Sequence, residues 1–192
     1  VTALVLEPTT TAQWQRLVQE ASTNASLALD EELESYLVFL LERSCAQTDV
    51  LQRIMALDYL HGLTTDGRER RERLREVGDH CLLFAGLFPH IARKRLVRIG
   101  YFVEIGRGAY LQLAEALHQS AANLYNNLAI AFVVMMDVLQ SMRELQGVHT
   151  QSLSPLEAMD LVLDSGSNNA LKSLRRYTQA QPVIVATSTQ RQ

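Results

Sequence analysis

Apolar positions recur at three- and four-residue intervals along almost the whole chain, and no stretch alternates apolar with polar over the length of a strand. Threonines at positions 9–11 stand ready to cap a short helix over residues 12–21. Asp30 precedes Glu31 and Glu32, a cap oxygen with acids over the positive end of the helix dipole, and the stripe behind it is Leu33, Leu37, Leu40 and Leu41. Thr48 and Asp49 restart a helix whose face is Leu51, Ile54, Met55 and Leu57, with Gly62 as its stop. Asp66 and Glu69 have capping-box spacing and open a helix that begins charged, "RERRERLRE", and ends apolar, "CLLFAGLF". Pro89 opens a further helical turn, Gly100 breaks it, and helix resumes from Tyr101 to about Ser120.

The longest pattern covers residues 121–146. Leu124, Leu128, Ala131, Met135, Val138, Met142 and Leu145 alternate spacings of four and three, an a/d seam over three heptads on one uninterrupted helix. Its other side carries Ile130, Val133 and Val134, so the seam reads as core, as a homodimer interface, or as both. Beyond the stop at Gly147, Ser154, Pro155 and Glu157 spell a complete helix start, and Gly166 ends that helix. Asn168 or Asn169 is expected to cap a last helix through "LKSLRRY". The pattern predicts an all-α, single-domain, irregular bundle of about eight helices over residues 1–178, with a mobile tail at 179–192.

Composition narrows this picture without naming an activity. An apolar share of 47% suffices for a globular core, and nine Gly with four Pro leave long elements uninterrupted. The net charge of −3 is unevenly spread: residues 1–64 are acidic on balance and residues 65–110 basic. That asymmetry suits internal pairing or steering of a partner. Sixteen of the eighteen basic residues are Arg, the side chain that grips carboxylate and phosphate with two parallel bonds. Two cysteines, Cys45 and Cys81, cannot build a disulfide framework or a zinc finger. The start "VTALVLEPTTT" has no basic region or long apolar run, and the nine-residue run "LAIAFVVMM" is far short of the ~20 residues a bilayer span needs. A cytoplasmic location without a membrane span is the expectation.

Candidate chemistry is sparse. Asp79, His80 and Cys81 are consecutive, and successive helical side chains project about 100° apart. They should not converge on one atom. Cys81 instead joins Leu74, Val77, Phe84 and Phe88 as a small buried hydrophobe. Asp58 with His61, and Glu115 with His118, each place an acid three residues before a histidine on a helix. Two such helices facing each other would form half of a di-iron-like carboxylate site for iron or another divalent metal. Arg93, Lys94, Arg95 and Arg98 make a basic knob suited to an acidic partner. Arg68, Arg70, Arg71, Arg73 and Arg75 interleave with Glu69, Glu72 and Glu76, many of them as local helix pairs. Anion or nucleic-acid binding through these arginines is a further reading, weakened by the overall negative charge.

The stretch "LREVGDHCLLFAGLFP" followed by "YFVEIGRGAYLQLAEAL", residues 74–117, resembles a pattern in a group of all-helical proteobacterial proteins. The resemblance implies a helical bacterial protein of the cytoplasm and carries no catalytic residue with it. Seam, charge split and lack of a converging nucleophile together favour a non-catalytic adaptor or regulatory protein that acts through protein contacts, as a homo-oligomer. A small helical non-haem metalloenzyme and an arginine-mediated nucleic-acid binder are the alternatives.

Overall fold

The computed structural model describes residues 9–45, 66–89, 97–145 and 153–178. Among them are eight α-helices and no strand: α1 Thr10–Ala25, α2 Glu31–Cys45, α3 Gly67–Gly86, α4 Ile99–Glu115, α5 Gln119–Ile130, α6 Phe132–Leu145, α7 Pro155–Ser165 and α8 Asn168–Thr178. The expected helix over 48–62, the segment after Pro89 and the tail at 179–192 lie outside the described residues.

Local chemistry sets half of the eight helix starts. Thr9 Oγ1 accepts from the amide of Ala12 at 3.2 Å, and Asp30 Oδ1 accepts from that of Leu33 at 2.8 Å, each satisfying one amide that the first turn leaves unpaired. At α7, Ser154 and Glu157 form the full reciprocal box with Pro155 in the first turn, and Gly166 closes the helix at φ 70°. Two expected caps differ. Asp66 makes no capping bond: Gly67 at φ 63° gives the chain a different approach to α3, and Glu69 turns outward to Arg73 at 2.8 Å. On α8 the cap is Ser167 rather than Asn168 or Asn169, its hydroxyl accepting from the amide of Ala170 at 3.0 Å.

The uninterrupted helix expected over 121–146 is two helices, bent by 63° at Ala131. No Gly or Pro marks the bend. Its cause is Arg107 of α4, whose Nε donates at 3.1 Å to the carbonyl of Ala129, an acceptor the next helical turn would otherwise use. Phe132 then enters the core against Gly106, where an added Cβ would lie 2.5 Å from its ring, while Ile130 is left 75% exposed. The seam is divided accordingly. Leu128, Met135, Val138 and Met142 are buried, Leu124 and Ala131 pack partly against the core, and Leu145 is exposed. Four of its seven side chains are thus spent inside the bundle.

The most extensive packing is α3 on α4, with α6 crossing beneath α3 and against α1. The second half of α3 is buried on every side, Val77 through Gly86, as its apolar composition demands. Gly100 does not break a helix. It lies in the first turn of α4 and makes room for Asp164 of α7, whose carboxylate would lie 2.7 Å from a Cβ there. No single helix among the described residues is long and apolar enough to cross a membrane.

Candidate binding groove over a buried aspartate

Residues 68, 71, 72, 75 and 79 share one face of α3 by helical spacing. The face starts in solvent and ends in the core. Its buried end is Asp79, which gathers three side chains from two other helices. Tyr36 of α2 donates its hydroxyl to Oδ1 at 2.5 Å, and Tyr110 of α4 donates to the same oxygen at 2.8 Å. Arg43, two turns beyond Tyr36 on α2, donates to Oδ2 at 2.8 Å. Gly78 permits this cluster, since a Cβ there would stand 2.3 Å from the Tyr110 ring.

Burial pushes the Asp79 carboxyl above its ordinary range. The Tyr36 bond, the charge of Arg43, the Tyr110 bond and the charge of Arg75 all pull the other way. Both phenols are held well above their usual range, first by burial and then by the carboxylate they face. These groups do not form a catalytic pair open to solvent, since Asp79 and Tyr110 are both buried.

Over this cluster lies a groove of about 360 Å³. One wall is Arg68, Arg71, Glu72 and Arg75 of α3; the other is Leu113 and Leu117 at the end of α4 with Ala121 and Tyr125 of α5. Tyr125 joins groove to core, its ring centroid 6.2 Å from that of Tyr36 and 5.9 Å from that of Tyr110. Burial raises its phenol above the ordinary range, Asp79 adds to the effect, and Arg75 and Arg43 oppose it.

The other expected sites fall out as follows. Asp79, His80 and Cys81 are all buried yet serve different surroundings. Asp79 takes the tyrosines, while Cys81 faces Gly106, and burial pushes its thiol up beyond reach of ordinary ionisation. Glu115 and His118 do not share a helical face. α4 ends at Glu115, and His118 has extended backbone ahead of α5, with φ −127° and ψ 154°. Both are exposed, and Glu115 accepts from Gln112 at 3.2 Å. Asp58 and His61 lie outside the described residues, among which no group of three or more His, Cys, Asp or Glu is placed to hold a metal. Arg93, Lys94 and Arg95 also lie outside them, while Arg98 is exposed and pairs with Asp164 at 3.2 Å.

The Tyr36–Asp79–Tyr110 hub is the feature that reading the sequence missed. Its available signals were Gly78 beside an acid inside an apolar run, and Tyr36 seven residues from Arg43 on one helix face. Fold and groove together define an all-α helical domain with a basic, aromatic-floored groove. No family model matches the chain, no curated protein matches it, and no solved structure matches it.

Proposed function

We propose that the protein is a cytoplasmic, non-catalytic adaptor or regulator that works through protein contacts and pairs with a second copy of itself. The observation that carries this reading is the outer ridge of α7. Leu156, Met159 and Leu163, spaced by three and four residues, are 70%, 52% and 73% exposed on the side of α7 away from Ala158 and Leu161. Among the described residues α7 buries one apolar face and offers a second in solvent, the mark of a surface that takes a partner.

Charge favours a second copy as its occupant. Asp160 flanks the ridge on the α4 side, and α8, which packs against α7, carries exposed Arg175 in its last turn. A two-fold contact between ridges sets the acidic flank of one copy toward the basic helix of the other, the self-complementarity an isologous dimer requires.

Light scattering during gel filtration tests the reading. The protein is expected to run as a dimer at micromolar concentration, and Leu156→Gln with Leu163→Gln as a monomer with unchanged helical circular dichroism. A wild-type monomer across that range, or a dimer indifferent to both substitutions, would remove the α7 contact.

A further inference from the structure

We propose that the groove between α3 and the α4–α5 corner binds a small organic phosphate with an apolar or aromatic body. The groove is divided in the way such a ligand is divided: three guanidinium groups face Leu113, Leu117, Ala121 and Tyr125 across it. Among the described residues Glu72 is the one carboxylate on the basic wall; it pairs with Arg68 at 2.7 Å and also feels the charges of Arg75 and Arg71. Arg71 and Arg75 form no ion pair among the described residues.

Those two arginines are four residues apart on one face, a like-charge spacing that weakens a helix. Their neighbours on α3 are paired, Arg68 with Glu72 on the same wall and Arg73 with Glu69 away from the groove. An anion seated between Arg71 and Arg75 relieves the repulsion and meets two planar forks suited to phosphate oxygens. The volume of about 360 Å³ lies in the range of small-molecule sites. Arg68 to Arg75 spans only two helical turns, about 10 Å, which suits a single phosphate group better than a polymer backbone.

The floor is preorganised. Tyr125 packs edge-on against Tyr36 and tilted against Tyr110, and both of those rings are anchored on Asp79. A ligand ring laid on Tyr125 therefore meets a surface that need not be ordered on binding.

Isothermal titration with phenyl phosphate, inorganic phosphate, benzyl alcohol and polyglutamate tests the proposal, because it separates the anion from the apolar body and a small phosphate from an acidic chain. Phenyl phosphate is expected to bind at least about tenfold more tightly than either fragment. Arg71→Gln should weaken it by about tenfold, and Ala121→Glu, which sets a negative charge inside the groove, should abolish it. Arg73→Gln, on the outer face, should leave it unchanged. Binding that is equal in wild type and Arg71→Gln, no binding of phenyl phosphate at millimolar concentration, or binding of polyglutamate alone would overturn the proposal. The last result would make the groove a contact for acidic protein.

Discussion

Asp79 and Asp137 are both carboxylates sunk into an apolar bundle, and the chain satisfies them by different means. Among the described residues Asp79 receives side chains alone, two phenols and a guanidinium, drawn from α2 and α4. Asp137, on α6, receives the start of a helix. Ser167 donates its hydroxyl to Oδ1 at 2.5 Å, and the amides of Asn168 and Asn169 donate to Oδ2 at 2.8 and 3.3 Å. One carboxylate ties three helices together sideways. The other takes the orphan amides at the positive end of α8, where negative charge is favoured. Gln140, one turn along α6, extends that second arrangement, reaching the carbonyl of Ala85 and the side chain of Asn169. Partners that are side chains can be withdrawn one by one, whereas backbone donors remain whatever residue replaces Asn168 or Asn169.

Removing each carboxylate should break the comparison most sharply. Asp79→Ala leaves a guanidinium and two phenols facing an empty place and should cost about 3–5 kcal/mol in urea unfolding. Asp137→Ala should cost about 2–3 kcal/mol. Its amide exchange should rise locally over residues 168–170, while Asp79→Ala should accelerate exchange across α2, α3 and α4 together. Equal costs with one shared exchange pattern would mean that the two carboxylates stabilise a single unit.

Withdrawing one partner sharpens the contrast. Tyr36→Phe deletes a donor but leaves Tyr110 and Arg43 on Asp79, and should cost about 1–1.5 kcal/mol. Ser167→Ala removes a bond to Asp137 and the cap on Ala170 together, yet the two amides stay, so about 1 kcal/mol is expected. Denaturation midpoints of the two variants, compared with Asp79→Ala and Asp137→Ala, show how far each cluster survives the loss of one donor.

The finest test is a slope. Burial is the leading influence on both carboxyls and raises each above its ordinary value of 3.8, so the folded chain holds these protons where the unfolded chain has released them. Their contribution to stability is complete below that value and declines as pH rises through the raised folded values. Asp79→Asn and Asp137→Asn cannot ionise, so the stability of wild type relative to either variant should fall from pH 4 toward neutrality. A relative stability that climbs with pH would show that the hydroxyls, amides and Arg43 outweigh burial.

Much of the helical framework was readable because its causes are short-range. The Ser154–Glu157 box, the Asp30 cap and the closing Gly166 each involve residues within a turn of one another. Cys81 was readable as core because its neighbours at helical spacing are apolar. The bend at Ala131 was not, because its agent, Arg107, stands 22 residues before the carbonyl it takes. Gly100 looks like a helix breaker in the sequence, and only the positions of Asp164 and Phe132 explain Gly100 and Gly106 as sites of close approach. The seam from Leu124 to Leu145 was legible as an apolar stripe, whereas its division between core and surface depended on that bend.

By itself, then, the order of residues determined that this chain is helical, where several helices begin and end, and which stripes must leave water, because winding, capping and apolar periodicity act over three or four residues. Tertiary structure decided which arginines line one groove, which phenols meet Asp79 and which helix start meets Asp137. Those contacts join positions 31 to 43 residues apart, where only the packing of whole helices brings a donor to its acceptor.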